Sequence, residues 1–163
     1  MLITTSRKPS KRTRSFCKYL NRIFDSEYVN RGKMSMRDVI LKLVASNYSY
    51  AVLVYEYNGN PSKITIFNKE GNELLSMTIN IALPEERINI KKDQLSFKCD
   101  IDEMAVLEDV LISENNLDEE SNLICIKESS NDYKAVLEVF DNKSFCTGFK
   151  IFVKTFKLKE ESD

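Results

Sequence analysis

Residues 51–83 read AVLVYEYNGNPSKITIFNKEGNELLSMTINIAL. Three runs rich in Val, Ile, Tyr and Phe occupy 51–57, 63–68 and 73–83, separated by NGNP and KEGN. β-Branched and aromatic side chains suit a pleated strand. Gly59 and Gly71 fall where the chain must reverse. The stretch predicts strand, turn, strand, turn, strand. Residues 122–158, NLICIKESSNDYKAVLEVFDNKSFCTGFKIFVKTFKL, repeat the pattern. Phe67-Asn68 and Phe140-Asp141 hold equivalent places, as do Ile79-Asn80-Ile81 and Ile151-Phe152-Val153, 72 to 73 residues apart. This is an internal duplication written in pattern more than in identity.

Working outward, each three-strand run is preceded by helical signals. Leu2 to Thr5 reads as a short first strand. Ser10 is a candidate N-cap for a helix in which Phe16, Tyr19, Leu20, Ile23 and Phe24 form one apolar face. Lys11, Arg14, Lys18 and Arg22 fall on the opposite face, with Arg12 at its flank. FDSEYVNRGKMS, residues 24–35, is a connection with room for a brief strand, and Gly32 suits a turn with positive φ. Ser35 caps a second helix, with Asp38 as the capping-box acid and Met36, Val39, Ile40, Leu43 and Val44 as its buried face. SFKCDI, 96–101, predicts a strand, and IDEMAVLEDVLISE, 101–114, a single helix with Met104, Leu107, Val110 and Leu111 on one face. An acidic loop, NNLDEESN, and a solvated tail, KEESD, complete the chain. The expected fold is α/β: two similar half-domains in tandem, 1–84 and 92–158, within one domain of 163 residues, the second half carrying fewer helices. Residues 159–163 are expected to be a flexible tail.

The charge is unevenly placed. Residues 1–42 carry 11 Lys and Arg against 3 Asp and Glu, net +8, whereas the remainder carries 13 against 22, net −9. The stretch 5–22, TSRKPSKRTRSFCKYLNR, contains no acid at all. A solvated helix face normally mixes signs, and Lys11, Arg14, Lys18 and Arg22 have no acidic neighbour three or four residues away within 5–24. Such segregation points to a polyanionic partner. Tyr19 and Tyr28 lie near these cations, with Tyr19 expected to be buried. Arg31 and Lys33 flank Gly32, whose backbone can approach a phosphate closely. Asn21 is the one side-chain amide in the basic helix, and the strand-rich remainder does not suit a helix-turn-helix, so RNA fits better than a DNA major groove.

Other classes recede. The chain has no histidine, which removes the commonest general acid/base and metal ligand. No phosphate-binding glycine loop, dinucleotide fingerprint or nucleophile elbow occurs. Acidic pairs such as Glu85-Glu86, Asp102-Glu103, Glu108-Asp109 and Glu119-Glu120 read as solvated charge. The expectation is a non-enzyme with no cofactor, metal or small-molecule substrate. Cys17, Cys99, Cys125 and Cys146 form neither a CxxC pair nor a zinc spacing and read as free, mostly buried thiols of a reducing cytoplasm. No apolar run approaches a membrane span, and the N-terminus lacks a signal-peptide pattern.

Three segments together resemble the Brix domain family in its short archaeal form: ITTSRKPSKRTRSFCKYLNRIF, VNRGKMSMRDVI and YAVLVYEYNGNPSKITIFN. The resemblance spans residues 3 to about 68 and is most specific in TSRKPSKRTRSF; KAVLEVFDNKSFCTGFKIFVKTFKL resembles the family's closing strands more loosely. It implies a ribosome-biogenesis factor that binds ribosomal RNA and assists its processing and subunit assembly. It also implies two similar α/β halves related to the anticodon-binding domain of class II tRNA synthetases. Carried over by position, the RNA-facing residues are Ser6, Arg7, Lys8, Ser10, Lys11, Arg12 and Arg14, with Arg31, Gly32 and Lys33; the charge pattern adds Lys18 and Arg22. The acidic second half departs from larger members with basic extensions. The alternative function is therefore a protein-interaction module, docking a basic ribosomal or assembly protein through that half.

Overall fold

In the computed structural model, which describes residues 1–92, 94–112, 121–129 and 132–159, Leu2–Thr5 forms a wholly buried strand, β1. Helix α1, Lys11–Ile23, follows, then the two-residue strand β2, Glu27–Tyr28, and helix α2, Met36–Ala45. Strands β3, Ala51–Tyr57, β4, Asn60–Phe67, and β5, Glu73–Ala82, come next. After them lie β6, Leu95–Cys99, a 3-10 turn at Asp102–Met104, the short helix α3, Leu107–Leu111, and strands β7, Asn122–Glu128, β8, Ala135–Phe140, and β9, Cys146–Leu158. Most of NNLDEESN, the end of the predicted 101–114 helix and residues 160–163 of the tail lie outside the described residues.

Two compact units emerge. Unit 1 holds Met1–Asn21, Ser26–Thr78 and the chain from Phe156; unit 2 holds Arg22–Asp25 and Ile79–Thr155. The boundary therefore cuts α1, β5 and β9 as well as the connection after α1.

In unit 1, β1 lies parallel between β2 and β3, and β3, β4 and β5 form an antiparallel meander. Leu2 and Ala51 sit side by side in this ladder and bury against Val39 and Leu43 of α2. Side chains alternate along a strand, so the odd-numbered residues of β3 face α2 and the even-numbered ones face the other way. In α2, the Ser35 side chain accepts from the Asp38 N–H while the Asp38 carboxylate accepts from the Ser35 N–H, a complete capping box. Its buried face is narrower than the periodicity predicts. Val39 and Leu43 are buried and Met36 and Ile40 half-buried, but Val44 is 53% exposed. The sheet covers one stripe of the helix, and Val44 lies beyond that stripe.

In unit 2, β6 runs parallel to β7, and β7, β8 and β9 form the second meander. Its core includes Met104, Leu107, Ile124, Ile126, Ala135, Val139 and Phe149, each fully buried. The segment predicted as one helix is broken into the 3-10 turn and α3. Met104, Leu107 and Val110 are buried at a spacing of three, which a three-residue turn satisfies as readily as an α-helix. Glu138, nearly buried on β8, lies 3.4 Å from Lys127 and 3.5 Å from Lys150 on the two flanking strands.

The two meanders share their turn chemistry. Asn68 Oδ1 accepts from the N–H groups of Glu70 and Asn72, and Asp141 Oδ1 from those of Lys143 and Phe145. Phe67 pairs with Glu73 and Phe140 with Cys146, each beside a register shift. At the fourth position of each turn stand Gly71, φ +83°, and Ser144, φ +66°. The same backbone bend is thus made with glycine in one unit and against a side chain in the other. We expect Gly71→Ala to destabilise the protein by about 1 kcal/mol and Ser144→Gly to stabilise it by up to ~1 kcal/mol. Chemical denaturation of the two variants checks the opposite signs.

Candidate nucleic-acid interface

The basic loop between β1 and α1 is built from the strand end outward. The Ser6 N–H bonds the Val54 carbonyl at 3.0 Å, which carries the β1–β3 ladder to its last residue. Beyond it, Arg7 and Lys8 are exposed, and Lys8 adopts φ +56°, an uncommon conformation for a side chain that is not glycine. Pro9 then leads into α1.

Ser10 caps α1 as predicted. Its hydroxyl accepts from the Thr13 N–H at 3.2 Å and donates to the Gly59 carbonyl at 2.8 Å. Its own N–H donates to Glu56 Oε2 at 2.9 Å, and the Thr13 hydroxyl donates to the same oxygen at 2.5 Å. No acid stands in the first turn of α1. Glu56, brought in from β3, supplies the negative charge that a helix N-terminus favours. The Thr13 hydroxyl is the main cause that holds the Glu56 carboxyl below its usual range; the Ser10 N–H and hydroxyl and the charge of Arg14 add to it, against a raising effect of burial. Sequence reasoning missed Glu56. Its signal was that it is the one acid between residues 51 and 69.

Along α1, Phe16, Leu20, Ile23 and Phe24 are buried, whereas Lys11, Arg12, Arg14, Lys18 and Arg22 are exposed. From Lys11 to Arg22 the stripe extends ~16 Å at 1.5 Å per residue. Tyr19 is half-buried. Cys17, on the buried side, has its thiol pushed up to about 12 by burial. Cys99 and Cys125 are half-buried and Cys146 exposed, so the thiols are less buried than expected, and all four are free.

The second basic cluster requires one correction. Arg31 is not an exposed cation: it is 8% exposed, with Nε donating to the Met34 carbonyl at 2.7 Å and Nη1 to the Thr5 carbonyl at 3.0 Å. It closes the 31–34 turn and ties that turn to the end of β1. Gly32, φ +52°, and Lys33 are left exposed on the turn. Arg7 lies near enough to α2 that its charge, after the dominant Ser35 N–H and side-chain hydrogen bonds and that of Arg37, lowers the Asp38 carboxyl. The structure thus joins Ser6, Arg7 and Lys8 to Gly32 and Lys33 through Arg31, while Lys18 and Arg22 lie farther along α1. Among the described residues, Arg7, Lys8, Lys11, Arg12, Arg14, Lys18 and Lys33 take part in no ion pair, and no Asp, Glu and Cys cluster could hold a metal.

No family model matches the sequence. A probable Brix domain-containing ribosomal biogenesis protein of Methanothermobacter thermautotrophicus is 31% identical over 168 aligned positions, covering 98% of this chain and all of the relative. The chain belongs to the Brix domain family. A relative of the same description from Methanococcus maripaludis is 43% identical over 86 residues, 53% of this chain and 49% of that protein. The crystal structure of Mil, an archaeal Imp4-like protein, superposes with a TM-score of 0.80 at 30% identity over 98% of this chain and 99% of that one. A probable ribosomal biogenesis protein from Aeropyrum pernix K1 shares the fold, with a TM-score of 0.72 at 21% identity over 98% and 96% of the two chains.

Within this Brix domain the buried and exposed cations of the 31–34 turn separate by experiment. Arg31→Ala leaves the Thr5 and Met34 carbonyls without their donor and is expected to cost about 2 kcal/mol or more, whereas Lys33→Ala should stay within about 0.5 kcal/mol; urea unfolding of both variants checks this. Because the Glu56 carboxyl is lowered in the folded state, its contribution is present above its ordinary value of 4.5 and is lost as pH falls below it. Thermal melts from neutral to acid pH should show a shallower acid loss for Glu56→Gln than for the native chain.

Proposed function

We propose that the chain is a non-catalytic, cytoplasmic ribosome-biogenesis factor that binds ribosomal RNA and assists its processing and subunit assembly. Family membership supports the ribosome-biogenesis part: the relatives are themselves described as ribosomal biogenesis proteins. The observation that carries the RNA part is the run of exposed cations from Arg7 to Lys18, which form no ion pair among the described residues. Arg and Lys without carboxylate partners, along a rigid helix and its N-terminal loop, can track a phosphate backbone by charge. Ser6, Arg7, Lys8, Lys11, Arg12 and Arg14 form the centre of the interface; Gly32 and Lys33 extend it on the α2 side, and Lys18 and Arg22 along the helix. Ser10 and Arg31 position these groups. The same reading keeps the duplicated α/β halves, 1–84 and 92–158, as the ancestral plan and their likeness to the anticodon-binding domain of class II tRNA synthetases. The parallel-then-antiparallel strand order of each unit supports the duplication.

With about five phosphate contacts, the plot of log K against log salt concentration for a ribosomal RNA fragment should have a slope near −3.5 to −4.5, at ~0.7 to 0.9 per contact. Changing Arg7, Lys11 and Arg14 together to Ala should weaken binding and flatten that slope, with little change in melting temperature. Equal slopes and affinities for the two proteins would refute the reading.

A further inference from the structure

The end of the β3–β4 hairpin carries a feature that phosphate binding leaves unused. Tyr57 is 72% exposed, the most exposed large apolar side chain among the described residues. It stands directly before a two-residue turn, with Asn58 at φ +50° and Gly59 at φ +77°, and pairs across the turn with Asn60. Positive φ at both central residues is the tight hairpin geometry that matches strand twist. The hairpin is also pinned to α1, through the Gly59 carbonyl and the Glu56 carboxylate on Ser10 and Thr13. Tyr57 is therefore an aromatic ring on a fixed mount.

Its direction follows from its neighbour. Glu56 points toward α1, so Tyr55 and Tyr57 point to the opposite, α2-side face. The register shift beside Glu56 arises on β4, where Ser62 is the extra residue, so the alternation of β3 is kept. On that face Lys63, paired with Tyr55 across the ladder, lies over the Tyr55 ring at 5.4 Å. The charges of Glu73 and Arg31 both reach Tyr55, and Arg31 holds the end of β1 from which Arg7 and Lys8 project. The exposed Tyr57 ring and, on the same strand face, the Lys63–Tyr55 pair thus stand at the hairpin that Ser10 ties to the cationic loop.

We propose that Tyr57 is a stacking platform for an unpaired RNA base, so that the interface selects single-stranded over fully duplex RNA. The proposal rests on the RNA-binding reading above and names its substrate class. In A-form duplexes the base faces are covered by their neighbours, whereas a loop or strand end offers a free face to an aromatic ring. Stacking needs no particular base, because each has a π-face. The phosphates on either side of that base would lie within reach of the cationic loop, which supplies affinity without sequence information.

The test compares a short oligoadenylate with a blunt RNA duplex of equal length. The native protein, Tyr57→Ala, Tyr57→Phe and the Arg7, Lys11, Arg14 triple-Ala protein are titrated against both. We expect Tyr57→Ala to lose about tenfold or more in affinity for the single strand, little for the duplex, and to keep the native salt slope. Tyr57→Phe should bind as the native chain does, since the ring and not the hydroxyl is used. The chain contains no tryptophan, so Tyr57→Trp places a lone indole reporter whose emission should be quenched by saturating oligoadenylate and not by duplex. Native-like affinity of Tyr57→Ala for the single strand, equal loss on both RNAs, or unchanged indole emission from Tyr57→Trp overturns the platform while leaving the salt-dependent reading intact. Failure of the native protein to bind either RNA overturns both.

Discussion

A buried guanidinium organises the basic end of this Brix domain. Arginine is seldom buried without a carboxylate, yet among the described residues Arg31 lies in no ion pair, and its hydrogen bonds go to the Thr5 and Met34 carbonyls. Those acceptors belong to the end of β1 and to the turn before α2. The bonds cost Arg31 its availability to a ligand and give the exposed cations around it a fixed frame. Arg7, Lys8 and Lys33 can then be presented together although the last is some 25 residues from the others in sequence. Pre-positioned charges bind a polyanion with less ordering cost than charges on a loose loop.

A second constraint acts at the start of α1. The Glu56 carboxylate occupies the N-terminal end of a helix that has no acid of its own, and Ser10 bridges it to the β3–β4 hairpin. Helix, strand and hairpin are locked by hydrogen bonds that involve one acid and two hydroxyls. The acid is half-buried, with Oε2 held by the Ser10 N–H and the Thr13 hydroxyl.

Unit 2 carries the same meander on a different charge background. Asp141 repeats the turn of Asn68, and Ser144 accepts the conformation that Gly71 adopts without steric cost. Glu138 lies between two lysines of its neighbouring strands. Here opposite charges meet one another, whereas in the first 22 residues the cations face outward. Similar meanders thus carry different side-chain charge in the two units.

Much of this architecture is legible in the residues themselves. Strand and turn positions, the Ser10 and Ser35 caps, and the inward phase of Phe16, Leu20, Ile23 and Phe24 follow from local rules of period, capping and φ, which the chain states one turn at a time. The exposure of Lys11, Arg14, Lys18 and Arg22 follows from that same phase. What local rules do not contain is which distant groups meet. The sequence alone placed Arg31 among the ligand-facing cations, because an arginine beside an exposed glycine and lysine carries no mark of burial. Only the approach of the 31–34 turn to the end of β1 decides that it is buried, with Nε and Nη1 each donating to a carbonyl. Glu56 reads as an ordinary strand acid until β3 brings it against α1, and Val44 reads as core until the packing of α2 through Val39 and Leu43 leaves it exposed. The helix at 101–114 breaks for a related reason: a buried spacing of three is compatible with two kinds of turn, and packing in unit 2 chose between them. The sequence determined the elements and the sign of the surface; tertiary contacts decided which charges are structural and which face outward, because burial and hydrogen-bond partners are set by neighbours far away along the chain.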